Sequence, residues 1–302
     1  MRATVIGGVN IDLVGTADAP MRRGDSNPGR LRVSVGGVGR NIAENLALLG
    51  AEVELMTALG DDDWADLIRA NCLSRGIGLR CARQLRRAAC GAYLCLNEPD
   101  GDLYAAVADM QVCAGLSPQW ILRHLDALRE ADLIVVDANI PEESCACIAE
   151  QLRGKRIAAD PVSAAKAGRL RPLLGALSLL KPNRAEAEAL TGEGEPRAAA
   201  ARLRQMGVEN VFLTLGGEGV WWDAPEGSGL QSCLTGQIVN TSGCGDAFLA
   251  AACMALCRGL PAETAARAGQ AAAGLCAASP DPVNPGMTWP RVLEAAGLAR
   301  EL

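Results

Sequence analysis

At 302 residues, 49% hydrophobic and 21% charged, the chain has apolar material for a large buried core and needs no metal or disulfide staple to hold it together. Its 29 basic and 35 acidic side chains leave a formal charge of −6, and no Lys/Arg run could follow a phosphate backbone, so nucleic acid is excluded as the expected partner. A single histidine, His124, set in an amphipathic helix pattern, disfavours mechanisms built on a Ser-His or Cys-His pair or on a multi-histidine metal site, so acid–base work falls to a carboxylate.

The first residues run directly into a strand pattern without the apolar segment of a signal peptide. No apolar run approaches the roughly 18 residues of a membrane span, so the expectation is a cytoplasmic protein with no membrane partner. The 12 cysteines are dispersed through apolar segments with no CxxC pair, and read as small buried hydrophobes. Cys145 and Cys147 stand apart from other ligand types, against a zinc site.

Residues 1–8 read as a strand closed by Gly7-Gly8. Beyond it, Asn10 and Asp12 alternate with apolar positions and share one face of an extended segment, where they either grip sugar hydroxyls or face water. Asp25-Ser26-Asn27-Pro28-Gly29 is turn chemistry, and residues 30–35 alternate as a short strand. Gly36-Gly37-Val38-Gly39-Arg40-Asn41 then opens a helix over 42–49 that stops at Gly50. A strand over 52–60 and a helix over 62–75 follow, then a hairpin of 91–97 and 103–107 around Asp100-Gly101. Segments 13–35 and 90–109 together are expected to build a small β-sheet lid within one domain spanning 1–302.

From Ser117 the pattern alternates strand and helix. Ser117-Pro118 starts a helix, and 120–128 is amphipathic with His124 as a surface or packing residue. Strands over 133–137, 156–160 and 177–181 alternate with helices over 141–152 and 163–174. The fold class is α/β: a Rossmann-like, mostly parallel central sheet with helices on both faces, which binds ligands at the carboxyl ends of its strands. Those ends carry Asp137-Ala138-Asn139, Asp160-Pro161-Val162-Ser163, Lys181-Pro182-Asn183 and, after the strand over 211–215, Thr214-Leu215-Gly216-Gly217. Asn183 and Glu186 also fit an ordinary capping box. Asn240-Thr241-Ser242-Gly243-Cys244-Gly245-Asp246 is a second glycine turn, entering a helix from Ala247 onward. Backbone N–H groups converging there favour an anion. Asp246 is either that helix's N-cap or a base for an incoming hydroxyl. Helices over 261–278 and 290–296 close the chain.

This ordered set resembles the ribokinase-like carbohydrate kinases, the PfkB family, from end to end. The two glycine elements, 36–41 and 240–246, are similar to the family's two signatures. Residues 25–29, 37–43, 160–164 and 180–184 look more like the family's kinases of pseudouridine than its kinases of ribose. The resemblance implies ATP-dependent phosphorylation of a nucleoside 5′-hydroxyl with Mg²⁺. It places Asn10, Asp12, Gly37 and Asn41 on the ribose, and Asp25, Ser26, Asn27 and Asp109 toward the base. It also implies Asn183 and Glu186 organising Mg²⁺ through water, Thr214, Gly216 and Gly219 lining the ATP side, Gly243, Cys244 and Gly245 as anion hole, and Asp246 as general base. Pairing of lids between subunits would make a homodimer. One departure is Asn240, where many members carry an acid at a place associated with potassium, so monovalent-cation activation does not carry over. The alternatives are a kinase of another nucleoside or sugar, such as adenosine or ribose, and a non-catalytic nucleoside sensor.

Overall fold

The computed structural model describes residues 1–234, 236 and 238–299; the last three residues of the expected 1–302 domain lie outside them. Nine strands form the main sheet, in the order Gly227–Gln231, Val220–Ala224, Val211–Thr214, Leu179–Leu180, Ile157–Asp160, Leu133–Asp137, Arg2–Ile6, Glu52–Met56 and Ile77–Gly78. Pairing is parallel from Val211–Thr214 to Ile77–Gly78, and antiparallel for the two strands at the other edge. Central strands are apolar on both faces: Val5 and Val135 enter one core with Ile42 and Phe248, while Ile6 and Val136 enter the other with Ile148 and Leu203. That double burial is what makes strands such as Leu133–Asp137 read as continuous apolar runs.

A separate sheet has four strands in the order Gly29–Gly36, Asn10–Ala17, Gly91–Asn97 and Leu103–Asp109. Asn10–Ala17 follows Arg2–Ile6 within four residues, and Gly29–Gly36 leads straight into the helix Val38–Leu48. The small sheet therefore grows from the carboxyl ends of the main one, above the place where a ligand is expected.

Three expected helices differ in detail. The run over 120–128 divides into Pro118–Arg123 and Leu125–Glu130. His124 Nδ1 lies 3.0 Å from the Trp120 carbonyl, the acceptor its own backbone N–H would use, and that N–H turns to Ile121 instead. The run over 163–174 is helical only at Ala164–Ala167 and then tightens to a 3-10 segment, Gly168–Ala176, around Pro172, which has no N–H to give. The helix expected from Ala247 starts earlier, as Cys244–Cys257, with Gly243 as N-cap.

Candidate active site

Gly243 adopts the left-handed conformation at φ 78°, and a Cβ there would collide with the Pro282 carbonyl. Only glycine admits this turn, which opens the helix Cys244–Cys257: Cys244 N reaches the Thr241 carbonyl at 3.4 Å, and the N–H groups that follow it form a helix start of the kind that favours an anion. Asp246 is the third residue of that helix, so the capping alternative fails: its side chain caps nothing and accepts a 3.0 Å hydrogen bond from Asn41 Nδ2.

Asn41 stands on the helix Val38–Leu48, whose entry at Gly37 has φ 102° and passes so close to Asn10 that a Cβ would lie 3.0 Å from its Oδ1. Asn10 Nδ2 donates to Asp12 Oδ1 at 2.6 Å, which holds both polar groups of this strand beside the glycine turn. Burial raises the Asp12 carboxyl, opposed by the bond from Asn10 and by Arg40. Asn10, Asp12, Gly37, Asn41 and Asp246 are thus brought together from elements more than 200 residues apart.

Beneath them lies a cluster of buried charge. Asp137, Asp160, Glu186 and Asp246 are all buried, and among them lies the buried ammonium of Lys181, 2.9 Å from Asp160 Oδ2. Burial first, then the Asp160 carboxylate, push Asp246 up to about 8, with Lys181 and Asn41 pulling it down and Asp137 raising it. Burial works against the charge of Lys181, yet Asp160, Glu186 and Asp246 hold its pKa above the ordinary lysine value. Its Nζ touches the anion turn: a Cβ on Gly245 would sit 2.7 Å from it. Asp137 is tied as a knot between strand ends, accepting from Gly8 N at 2.8 Å and Asn139 N at 2.9 Å. Val162, two residues past Asp160, has φ 66°, a strained value for a β-branched residue, and its N–H donates to Asp160 Oδ1 at 2.7 Å.

On the far side of the anion turn, a cavity of about 280 Å³ is lined by Thr214, Gly216, Gly219, Cys244, Gly245 and Phe248 among others. The ATP-side residues expected from sequence therefore share one cavity with the anion turn. Asn183 pairs with Thr214 in an isolated parallel bridge and completes the capping box with Glu186: Asn183 N donates to Glu186 Oε2 at 2.8 Å, and Glu186 N to Asn183 Oδ1 at 2.9 Å. Burial, and then Asp160, raise the Glu186 carboxyl. No group of three or more metal-ligating side chains occurs among the described residues. Both Glu186 oxygens accept from Asn183, Oε2 from its N and Oε1 from its Nδ2 at 2.9 Å, so a hydrated Mg²⁺ met through its waters is the form of the ion that this donor set would fit.

Other expected residues stand apart. Asp25 and Ser26 are exposed at the far end of the small sheet, and the half-buried Asn27 spends its amide on Arg22 and Asp25 of its own loop. Asp109 pairs with Ala92, which pairs with Ile11, so it falls on the opposite face of the sheet from Asp12 and is exposed. Asn240 donates to the Pro280 carbonyl at 3.1 Å and accepts from Ser242 N at 2.9 Å, so its side chain ties down the loop before the anion turn. Lys181 and Arg40 had no role in the sequence reading. The signal for both was a long cation set among small or apolar residues, at a strand end and inside a glycine turn.

A buried carboxylate at a glycine turn, bonded on one side to Asn41 beside the polar pair Asn10 and Asp12 and bordered on the other by a cavity at a strand end, is the arrangement of a phosphotransferase with an alcohol acceptor. The pfkB family carbohydrate kinase domain matches residues 2–289, and the chain belongs to that family. It is 31% identical over 295 residues to pseudouridine kinase of Escherichia coli strain K12, covering 96% of this chain and 94% of that protein. Among solved structures, a carbohydrate kinase from Agrobacterium tumefaciens superposes with a TM-score of 0.88 at 29% identity, covering 99% of this chain and 98% of that one. Arabidopsis thaliana ribokinase, solved with ribose and ATP, superposes with a TM-score of 0.85 at 24% identity, covering 98% of each chain. No helix among the described residues is long and apolar enough to cross a membrane.

Proposed function

We propose that this kinase transfers the γ-phosphoryl of ATP to the 5′-hydroxyl of pseudouridine, giving pseudouridine 5′-phosphate and ADP. The observation that carries the mechanism is the Asn41–Asp246 hydrogen bond, which joins the sugar side of the cleft to the anion turn. Asn10, Asp12, Gly37 and Asn41 hold the ribose so that its 5′-oxygen meets Asp246. Asp246 takes the hydroxyl proton, that oxygen bonds to the γ-phosphorus, and the bond from phosphorus to the ADP oxygen breaks. The N–H groups of Gly243, Cys244 and Gly245 receive the charge on the migrating group, and Lys181 adds a fixed ammonium behind Gly245. Thr214, Gly216 and Gly219 line the nucleotide side. Mg²⁺, when bound, neutralises phosphate charge, and Glu186 would hold it through water, with Asn183 fixing the carboxylate.

The likeness to Escherichia coli pseudouridine kinase across nearly the whole chain supports the choice of nucleoside. The placement of Asp25, Ser26 and Asp109 outside the niche favours a second reading, in which a free pentose such as ribose is the acceptor. An ADP-release assay against pseudouridine, uridine, adenosine, ribose and fructose 6-phosphate separates them. The highest kcat/KM belongs to pseudouridine on the first reading, and a preference for ribose would overturn it.

We further infer that the small sheet acts as a lid and as a dimer face. Arg32, on its Asp12 face, pairs with Asp281 beside the anion turn. The opposite face exposes Leu31, Val33, Leu94 and Val107, an apolar surface suited to a second copy. Light scattering should give a dimer for the native chain and a monomer for Leu31→Glu/Val107→Glu; a monomeric native chain would refute the pairing.

A further inference from the structure

Arg40 is buried, and a buried guanidinium needs a reason beyond packing. It lies on the helix Val38–Leu48 next to Asn41 and is held from three sides. Glu44 Oε2, one turn along the same helix, is 2.5 Å from its Nη2. The same Nη2 donates to Asn71 Oδ1, on the helix Asp63–Ser74, at 2.8 Å. Arg75 approaches the other oxygen of Glu44 at 3.3 Å. The remaining arm, Nη1, donates to Asn41 Oδ1 at 3.1 Å.

An asparagine amide has an acceptor end and a donor end, and fixing one orients the other. With Oδ1 of Asn41 occupied by a cation that cannot accept, its Nδ2 is left to face Asp246, where it donates at 3.0 Å. A reversed amide would set an N–H against a guanidinium N–H and a carbonyl oxygen against the carboxylate. We infer that Arg40 is a positioning residue for catalysis: anchored by Glu44 and Asn71, it locks the amide of Asn41 so that a donor always faces the general base.

Arg40 does not touch the reacting atoms, and its influence runs through Asn41. The charged or titratable groups facing Asp246 directly are Asp160, Lys181 and Asp137, with Cys276 nearby; those facing Arg40 are Glu44, Arg75, Asp12 and Cys72. Losing the locked donor leaves the Asp246 carboxylate with less to oppose its burial, and the base ionises at higher pH. The inference rests on the reading of Asp246 as base, while the anchoring network is independent of substrate.

The test is a titration of 13C-labelled aspartate carboxyls by NMR in the full chain, with the Asp246 resonance assigned from Asp246→Asn. Arg40→Met should move the Asp246 midpoint up by about one pH unit, a roughly tenfold loss of ionised base at neutral pH. Arg40→Met/Glu44→Met, which leaves no lone carboxylate behind, should do the same. Arg40→Lys keeps a cation beside Glu44 but cannot bridge Asn71 and Asn41, and reads the same direction should the Met variants be too unstable to titrate. Placed on Asn41→Leu, Arg40→Met should add nothing further, because the path through Asn41 is already cut. An unmoved midpoint in a folded Arg40 variant overturns the inference, as does an equal shift in the Asn41→Leu background, which would mean that Arg40 acts by charge alone. Full turnover in Asp246→Asn would overturn the base reading and this inference together; lost turnover there with an unmoved midpoint in the Arg40 variants overturns only the inference.

Discussion

Replacing Asp246 by Asn should remove turnover and, over part of the pH range, make the protein more stable. In the unfolded chain this carboxyl ionises near its usual 3.8, whereas burial and Asp160 push it up to about 8 in the fold. Between those limits the unfolded state has released a proton that the folded state keeps, so stability from this group is greatest at low pH and is lost as pH rises to the folded value. The slope is about 1.4 kcal/mol per pH unit, or about 4 kcal/mol between roughly pH 5 and pH 8. Asn keeps an oxygen for Asn41 Nδ2 and carries no charge to bury, so it escapes this loss. Part of the gain goes to its own buried amide, which needs a partner, and a net advantage of about 1–3 kcal/mol near pH 8 is expected. Guanidinium unfolding of both proteins at several pH values measures it: the advantage of Asn should widen with pH and level off above about 8. Turnover of the native enzyme should rise with pH over the same range, since the base must be ionised to act, while the Asn variant stays at least about 10²-fold down. A stability difference that is flat with pH, or near-native kcat in the variant, would refute the assignment of a strained, buried base.

Gly243→Ala tests the turn itself: a positive φ of 78° and the collision with the Pro282 carbonyl should cost on the order of 2–4 kcal/mol and shift the helix start. Thermal melts should show a loss of several degrees and kinetics a fall of more than about 10²-fold in kcat; native turnover would dissociate the N–H groups from the phosphoryl group. Lys181→Met removes the ammonium paired with Asp160 from the cluster of Asp137, Asp160, Glu186 and Asp246, so it should lower kcat about 10²-fold and move the acid limb of the pH–rate profile upward, because Lys181 is one of the groups holding Asp246 down. A native profile would reduce Lys181 to a structural partner of Asp160.

What the sequence made legible is what depends on short range. Period-two alternation put Asn10 and Asp12 on one face, and Asn183 followed by Glu186 announced the capping box that forms. The βα alternation after Ser117 led to a parallel sheet with polar groups at its carboxyl ends, where Asp160, Lys181 and Thr214 stand. Features set by backbone dihedrals or long-range register were hidden. Nothing local announces that Gly243 turns left-handed, yet that turn moves the helix start back to Cys244 and carries Asp246 from an ambiguous cap into the first turn. A strand at Gly227–Gln231 escaped notice because its glycines masked the pattern, and the helix Pro196–Gln205 was passed over as well.

Register explains the remaining misplacement and ties the small sheet to the site. The hairpin of 91–97 and 103–107 was readable from Asp100-Gly101, but its parallel pairing with Asn10–Ala17 was not, since that contact spans about 80 residues and is selected only once both strands emerge beside Gly8. That register decides which residues face the niche: Asp12 lies level with Tyr93 and Ser34, whereas Asp109 lies level with Ala92 and turns away. A one-residue slip would exchange the two faces, directing Leu31, Val33 and Val107 into a polar cleft and Asp12 to the outside. Burial of Ile11 and partial burial of Leu13 and Val35 against the main core hold the register in place. The packing under the small sheet and the chemistry proposed above it are therefore one constraint: the apolar residues that seat the sheet keep Asp12 and Asn10 on the face toward Asn41 and Asp246, where the proposed acceptor hydroxyl is held.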